Sequence, residues 1–389
     1  MKSLHSVTFV LMWIGSLSSC QRLSGDYHER TGPQNVERHE ENLDVKPAAK
    51  RRQREHPSKP PESYVDAGLG DPWSAPEACE SLLAQGHRHG RTLGTARLAT
   101  WNVRWFPDGA PGHAVAPSRA TDLNWFSCVI AWLDVDAIAL QEVKADALSL
   151  SKLDGVVDSL NRRTAGKWAY RLDECPSTSG QHVAWLYDGK RVKESFALQY
   201  AAVNPHAGAC TGHLRPGFGM TFKFEGGLDL HAISVHLKSG VDERDLRLRK
   251  QSWAALPGIA ASETRRSNDP NLLILGDFNS MGCQKCETAV DSESEIAELD
   301  QQLGLGELHL QRMTTDLGCS HYFQRKPAQI DHILVTTDTR ALAPSAQVTV
   351  EGYCKELHCR HYAGKDPNAY RHLSDHCPLV VELVDRDLD

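Results

Sequence analysis

The segment Asn271-Leu272-Leu273-Ile274-Leu275-Gly276-Asp277-Phe278-Asn279-Ser280 decides how the chain is read. Four consecutive apolar residues, Leu272 to Leu275, predict a strand buried on both faces, and Gly276 ends the run without a side chain. Asp277 and Asn279 follow, one residue apart. On a continuing pleat they point to the same side and bring a carboxylate and a carboxamide to one spot at the end of a central strand. Such a pair suits a phosphate and its attacking water. The same residues fit an Asx turn that only closes the strand.

Related patterns flank this segment. Strands are expected at 98–103, 136–143, 168–172, 182–187, 192–199, 218–224, 228–237, 330–336 and 378–384, and helices at 121–133, 145–160 and 243–261. Mixed helices and strands with polar residues at strand ends argue for a layered α/β domain built on two packed sheets. No internal repeat is seen.

The 389 residues, 40% of them hydrophobic, support a sizeable core. A formal net charge of -7 excludes a globally basic nucleic-acid footprint, so a polyanion site must be a local patch. The N-terminus carries Lys2, a short apolar run over 7–14 and small residues up to Cys20, which is the layout of a secretory signal and too short to span a bilayer. Leu17-Ser18-Ser19-Cys20 resembles a bacterial lipobox, in which a lipid on Cys20 tethers the chain to a membrane without inserting it. An ordinary signal peptide with a chance cysteine is the alternative. Residues 21–72 are polar, charged and proline-bearing, and read as a disordered tether whose cluster Lys50-Arg51-Arg52-Gln53-Arg54 is solvated linker charge. The folded domain is expected over 73–389, exported to the periplasm or cell exterior.

Of 11 cysteines, setting Cys20 aside leaves ten, an even number that in an oxidising compartment points to disulfides. Cys175 with Cys210, Cys283 with Cys286, and Cys354 with Cys359 are the local candidates, with Cys128 and Cys377 as buried free thiols. Cys283, Cys286, Cys354 and Cys359 also have the makings of a zinc knot, which an exported chain disfavours.

Six segments place polar residues where an apolar core would not choose them: Trp101-Asn102-Val103, Leu140-Gln141-Glu142-Val143, the run from Ser234 through His236 to Gly240, Gly276-Asp277-Phe278-Asn279, Ile330-Asp331-His332-Ile333, and Ser374-Asp375-His376-Cys377-Pro378. Any one is weak; the ordered set is specific. It resembles the endonuclease/exonuclease/phosphatase superfamily over roughly residues 97 to 385. The resemblance implies a four-layered α/β sandwich, two packed mixed β-sheets flanked by helices, with the site at the sheet edges.

Carried over residue by residue, the resemblance makes Glu142 a metal-binding glutamate, supported by Asn102 and joined by Asp375 as hard-oxygen metal ligands for Mg²⁺, with Mn²⁺ or Ca²⁺ as substitutes. It makes His236, Asp277, Asn279, Asp331 and His376 the catalytic set, with Asp331 fixing the tautomer of His376. Which histidine is acid and which is base stays open. One departure stands out. Where deoxyribonuclease relatives pair a glutamate with the first histidine, the nearest match is Gln181, which can orient His236 but brings no charge.

The expected activity is metal-dependent phosphodiester hydrolysis of nucleic acid, DNA favoured, by a monomeric endonuclease that meets a membrane only through its lipid. Two alternatives are phospholipid or inositol-phosphate hydrolysis of the sphingomyelinase type, and a non-catalytic surface protein on the same fold. The segment from Cys354 to His372, rich in Lys, Arg and His, either grips a phosphate backbone or is a solvated loop.

Overall fold

A computed structural model describes residues 70–175, 180–206, 210, 214–305, 308–342 and 346–388. The expected signal segment, Cys20 and the linker up to residue 69 lie outside the described residues. The chain runs α1 (Pro76–Ala84), β1 (Thr95–Phe106), α2 (Leu123–Leu133), β2 (Ala137–Val143), α3 (Ala147–Thr164), β3 (Trp168–Leu172), β4 (His182–Asp188) and β5 (Val192–Tyr200). It continues with β6 (Gly217–Phe224), β7 (Asp229–His236), α4 (Glu243–Ser267), β8 (Leu272–Asp277), α5 (Ser292–Leu303) and β9 (Leu310–Arg312). The last part is β10 (His321–Phe323), β11 (Lys326–Ala328), β12 (Asp331–Thr336), β13 (Thr349–Val350), α6 (Tyr353–Glu356), α7 (Asn368–His372) and β14 (Leu379–Val384).

Two six-stranded mixed sheets form, in the orders β13-β14-β1-β2-β4-β3 and β5-β6-β7-β8-β12-β9, with β10-β11 as a separate hairpin. Strand β8 shows why the layers stack as they do. Leu273 and Leu275 join the core shared with the first sheet and with α2 and α3, whereas Leu272 and Ile274 join the core against α4 and α5. Alternate side chains of one apolar run therefore serve two layers, and helices cover both outer faces in a four-layered α/β sandwich. Helices α2, α3, α4 and α5 each begin behind an aspartate, Asp122, Asp146, Asp242 and Asp291, whose carboxylate accepts backbone N–H groups of the first turn. α1, α5, the β10-β11 hairpin and the short elements after residue 340 have no counterpart in the periodicity, because each is too short or too polar to show one.

Gly276 has a φ of +144°, and a Cβ there would fall inside the van der Waals shell of the Val235 carbonyl oxygen on β7. The close pairing of the two parallel strands thus depends on a missing side chain. Gly276→Ala is expected to cost about 2–4 kcal/mol, summing overpacking and backbone strain, as a lowered urea midpoint at unchanged slope.

All ten described cysteines are paired, as Cys79–Cys128, Cys175–Cys210, Cys283–Cys286, Cys319–Cys359 and Cys354–Cys377. Two expectations are corrected. Cys354 and Cys359 do not join each other, since Cys354 sits at α6 against the lead-in to β14 and Cys359 lies on the loop beyond, facing the base of β10. Cys128 and Cys377 are not free thiols: Cys128 ties α2 to α1, and Cys377 holds the segment that precedes β14. With Cys283 and Cys286 bonded to each other, no zinc knot forms. Replacing both Cys354 and Cys377 by serine should lower stability by about 3 kcal/mol, read as a fall in melting temperature.

Candidate active site

Three site residues stand in one row across the second sheet. His236 ends β7, Asp277 ends β8 and Asp331 begins β12, and the register pairs His236 with Asp277 and Asp277 with Asp331. Asp277 shares the face of Leu273 and Leu275, so it points into the seam between the sheets. From the first sheet, Asn102 on β1 and Glu142 on β2 meet this row. Glu142 sits at a bulge in β2 with a φ of +67°, an irregularity that re-aims its side chain toward the seam. Beside it, Gln141 crosses the core to donate to Ser234 Oγ at 3.0 Å, pinning the sheets together below the site.

Asn102 joins the two sheets at the site. Its Nδ2 donates to Glu142 Oε1 at 3.1 Å and to Asp277 Oδ2 at 2.9 Å, while its oxygen accepts from the Arg104 N–H at 3.0 Å. Asn102, expected at the metal, orients two carboxylates through its N–H groups, and its oxygen accepts the Arg104 N–H. Glu142 Oε2 accepts from the Trp105 N–H at 3.0 Å.

The segment before β14 supplies Asp375 and His376. Trp101 Nε1 donates to the His376 carbonyl at 3.0 Å, and Ser374 Oγ donates to the Asn102 carbonyl at 2.6 Å, fixing this segment to β1. His376 Nδ1 lies 2.9 Å from Asp331 Oδ2, which also accepts from Ser320 Oγ at 2.7 Å. One ligand atom each from Asp277, Asp331 and His376 falls within 4.8 Å of the others. Within this trio the His376 imidazole already bonds Asp331 through Nδ1.

The two histidines differ electrostatically. Burial opposes a charge on His376, but the Asp331 carboxylate and its hydrogen bond, with Asp277 and Asp375, outweigh it and push the imidazole up to about 10. His236 is held neutral by burial, with Arg215, His376 and Lys238 adding to that, although its Nε2 lies 3.7 Å from Glu142 Oε1 and 3.6 Å from Asp277 Oδ2. Burial and the Asp331 charge raise Asp277 to about 7. Burial and then the Asp375 charge raise Glu142, so these two carboxylates are electrostatic neighbours.

Two sequence expectations change. Asn279 is not on the pleat, because β8 stops at Asp277; Asn279 takes a φ of +51°, its N–H donates to Asp277 Oδ1 at 2.8 Å, and its Nδ2 donates to the Leu237 carbonyl at 3.1 Å. The Asx-type turn and the polar site are thus one structure. Gln181 does not serve His236: its Oε1 and its carbonyl both accept from the Arg215 guanidinium, and His236 Nδ1 is buried without a hydrogen-bond partner.

Arg215 went unnoticed in the sequence. Burial works against its charge, and the Glu142, Asp173 and Asp277 carboxylates counter that, which places a cation at the rim of the acidic cluster. It precedes β6 in no polar strand-end pattern, and its guanidinium is held by Gln181.

A family model described as the "Endonuclease/Exonuclease/phosphatase family" matches residues 99–376. No curated protein matches the chain. Solved structures do. An endonuclease/exonuclease/phosphatase family protein from Bacteroides thetaiotaomicron is 18% identical with a TM-score of 0.47, covering 77% of this chain and 100% of that one. The human Nocturnin catalytic domain with bound sulfate is 15% identical with a TM-score of 0.46, covering 76% and 96%. A mannosyl-6-phosphatase from Bacteroides thetaiotaomicron is 19% identical with a TM-score of 0.47, covering 74% and 99%.

Proposed function

The chain belongs to the endonuclease/exonuclease/phosphatase family, whose members are phosphoesterases, and from that premise we propose that it is an exported, divalent-metal-dependent phosphodiesterase that cleaves nucleic acid internally, DNA by preference. One observation carries the reading: carboxylates and imidazoles from both sheets converge on the seam, joined by the Asn102–Asp277 and His376–Asp331 hydrogen bonds. Five disulfides support the export half, since such density suits an oxidising compartment.

Glu142 and Asp375 fit a hard divalent cation, both being oxygen donors, and Glu142, raised by burial and then by the Asp375 charge, would be relieved by a cation held there. When bound, Mg²⁺, Mn²⁺ or Ca²⁺ neutralises phosphate charge and stabilises the charge that develops in the transition state. Asn102 keeps Glu142 in place for that task. His376, protonated and held by Asp331, donates to a phosphate oxygen or to the departing alkoxide. Asp277, with its raised affinity for a proton, takes one from the attacking water, while the Asn279 N–H holds its other oxygen. Arg215 presents a fixed guanidinium to the phosphate oxygens.

Incubating the purified protein with supercoiled plasmid, single-stranded DNA, RNA and sphingomyelin, with and without chelator, tests this. Chelator-sensitive nicking of plasmid is the expected result. Release of phosphocholine with plasmid left intact would replace nucleic acid with a phospholipid as substrate.

A further inference from the structure

The hairpin β10-β11 stands directly over the site. The ring of His321 on β10 lies against that of His376, tilted by 51° with centroids 4.4 Å apart, the two residues are bridged through their backbones, and the Tyr322 N–H donates to the Asp375 carbonyl at 3.1 Å. Tyr322 is fully buried against Tyr353 and Tyr362, so its neighbours His321 and Phe323 share the opposite face of the strand. Phe323 is 64% exposed, an unusual place for a ring that meets no protein core. The strand rise sets it roughly 7 Å along from His321, the residue whose ring lies against His376.

The basic segment from Cys354 to His372 is joined to this hairpin. The Cys319–Cys359 disulfide ties the two at their bases, Tyr322 OH donates to the Arg360 carbonyl at 3.0 Å, and Arg325 lies 3.5 Å from Asp366. The rim so formed, 319–328 with 354–372, carries six Lys and Arg against two acidic residues on a chain of net charge -7. The rim's own side chains are thus net positive on a chain that is net negative. Arg325, Lys326, Arg360 and Lys365 are all exposed.

We propose that this rim is the binding edge for a single-stranded nucleic-acid segment, with Phe323 stacking on the base next to the scissile phosphate and Lys326, Arg360 and Lys365 taking the flanking phosphates. An exposed aromatic beside a cationic track is what sequence-tolerant single-strand binding needs. A lipid surface is the less fitting partner, because the hairpin tip offers one ring and then Gln324, Arg325 and Lys326, too little apolar area to enter a bilayer. The inference deepens the phosphodiesterase reading and rests on it for the identity of the cleaved bond.

The test measures anisotropy of a fluorescein-labelled single-stranded DNA 12-mer on the protein in EDTA across a salt series, then cleavage of the 12-mer and of bis(p-nitrophenyl) phosphate with Mg²⁺. Phe323→Ala should weaken binding about tenfold or more at unchanged salt slope, with Phe323→Trp restoring it. Lys326→Ala with Lys365→Ala should instead flatten the slope by about 1.4. With Mg²⁺, Phe323→Ala should lower 12-mer cleavage relative to the small diester by about the same factor as binding. Binding by Phe323→Ala equal to that of the parent protein overturns the inference. So does a loss confined to phosphatidylserine vesicles, which would make the hairpin a lipid probe. If the parent protein hydrolyses the small diester yet ignores the 12-mer, the rim inference fails while phosphodiesterase chemistry stands; if it binds the 12-mer through Phe323 but hydrolyses neither, the chemistry fails and the rim stands.

Discussion

Replacing His376 by alanine is expected to lower kcat for phosphodiester cleavage by about 10³-fold or more, the range reached when a positioned proton donor that also stabilises developing charge is lost. The ring is 6% exposed and packs between His321 and Asp331, so some loss of stability accompanies the change. His376→Gln keeps a polar group of similar reach and separates the two effects. It should retain most of the melting temperature and little of the activity. Asp331→Asn should follow with a smaller loss, about 10²-fold, because it removes the charge that holds the imidazole protonated while Ser320 Oγ still fixes the side chain. Activity of either His376 variant near that of the parent protein would remove the proton-handling role.

Glu142→Gln is expected to raise the divalent concentration needed for half-maximal activity by about 100-fold, with kcat at saturating metal falling less. The neutral amide keeps the volume but has one acceptor oxygen, so it keeps only one of the Asn102 and Trp105 N–H contacts, and the loss lies in charge, donor strength and that contact. Titrating Mg²⁺ into the chelated protein by calorimetry reads the same change without turnover. Parent-like metal affinity in this variant would move the metal away from Glu142 and toward the Asp277, Asp331 and His376 trio.

The site was legible where local pattern and chemistry coincide. The run Leu272 to Leu275 predicted a doubly buried strand, and the structure shows Leu273 and Leu275 serving one core and Leu272 and Ile274 the other. Gln181 was misread because sequence proximity to a strand start says nothing about which side chain its amide meets; Arg215, 34 residues on, claims it. Of the three expected cysteine pairs, Cys175–Cys210 and Cys283–Cys286 form and Cys354–Cys359 fails for a like reason. Spacing favoured Cys354 with Cys359, but a single helical turn sends them to partners 23 and 40 residues away.

By itself, the sequence determined the order of the longer strands and helices, the family, and the identity of the polar residues that close the strands, because hydrophobic periodicity and strand-end chemistry are local properties. Only the tertiary structure decided the rest. It put His236, Asp277 and Asp331 in one row through strand register, gave Asn102 two carboxylates to orient, and brought Arg215 to the cluster. It also made one rim of two segments whose charges had no fixed direction along the chain. Register, disulfide partners and the field at a buried site depend on contacts between residues far apart in sequence, and no window along the chain contains them.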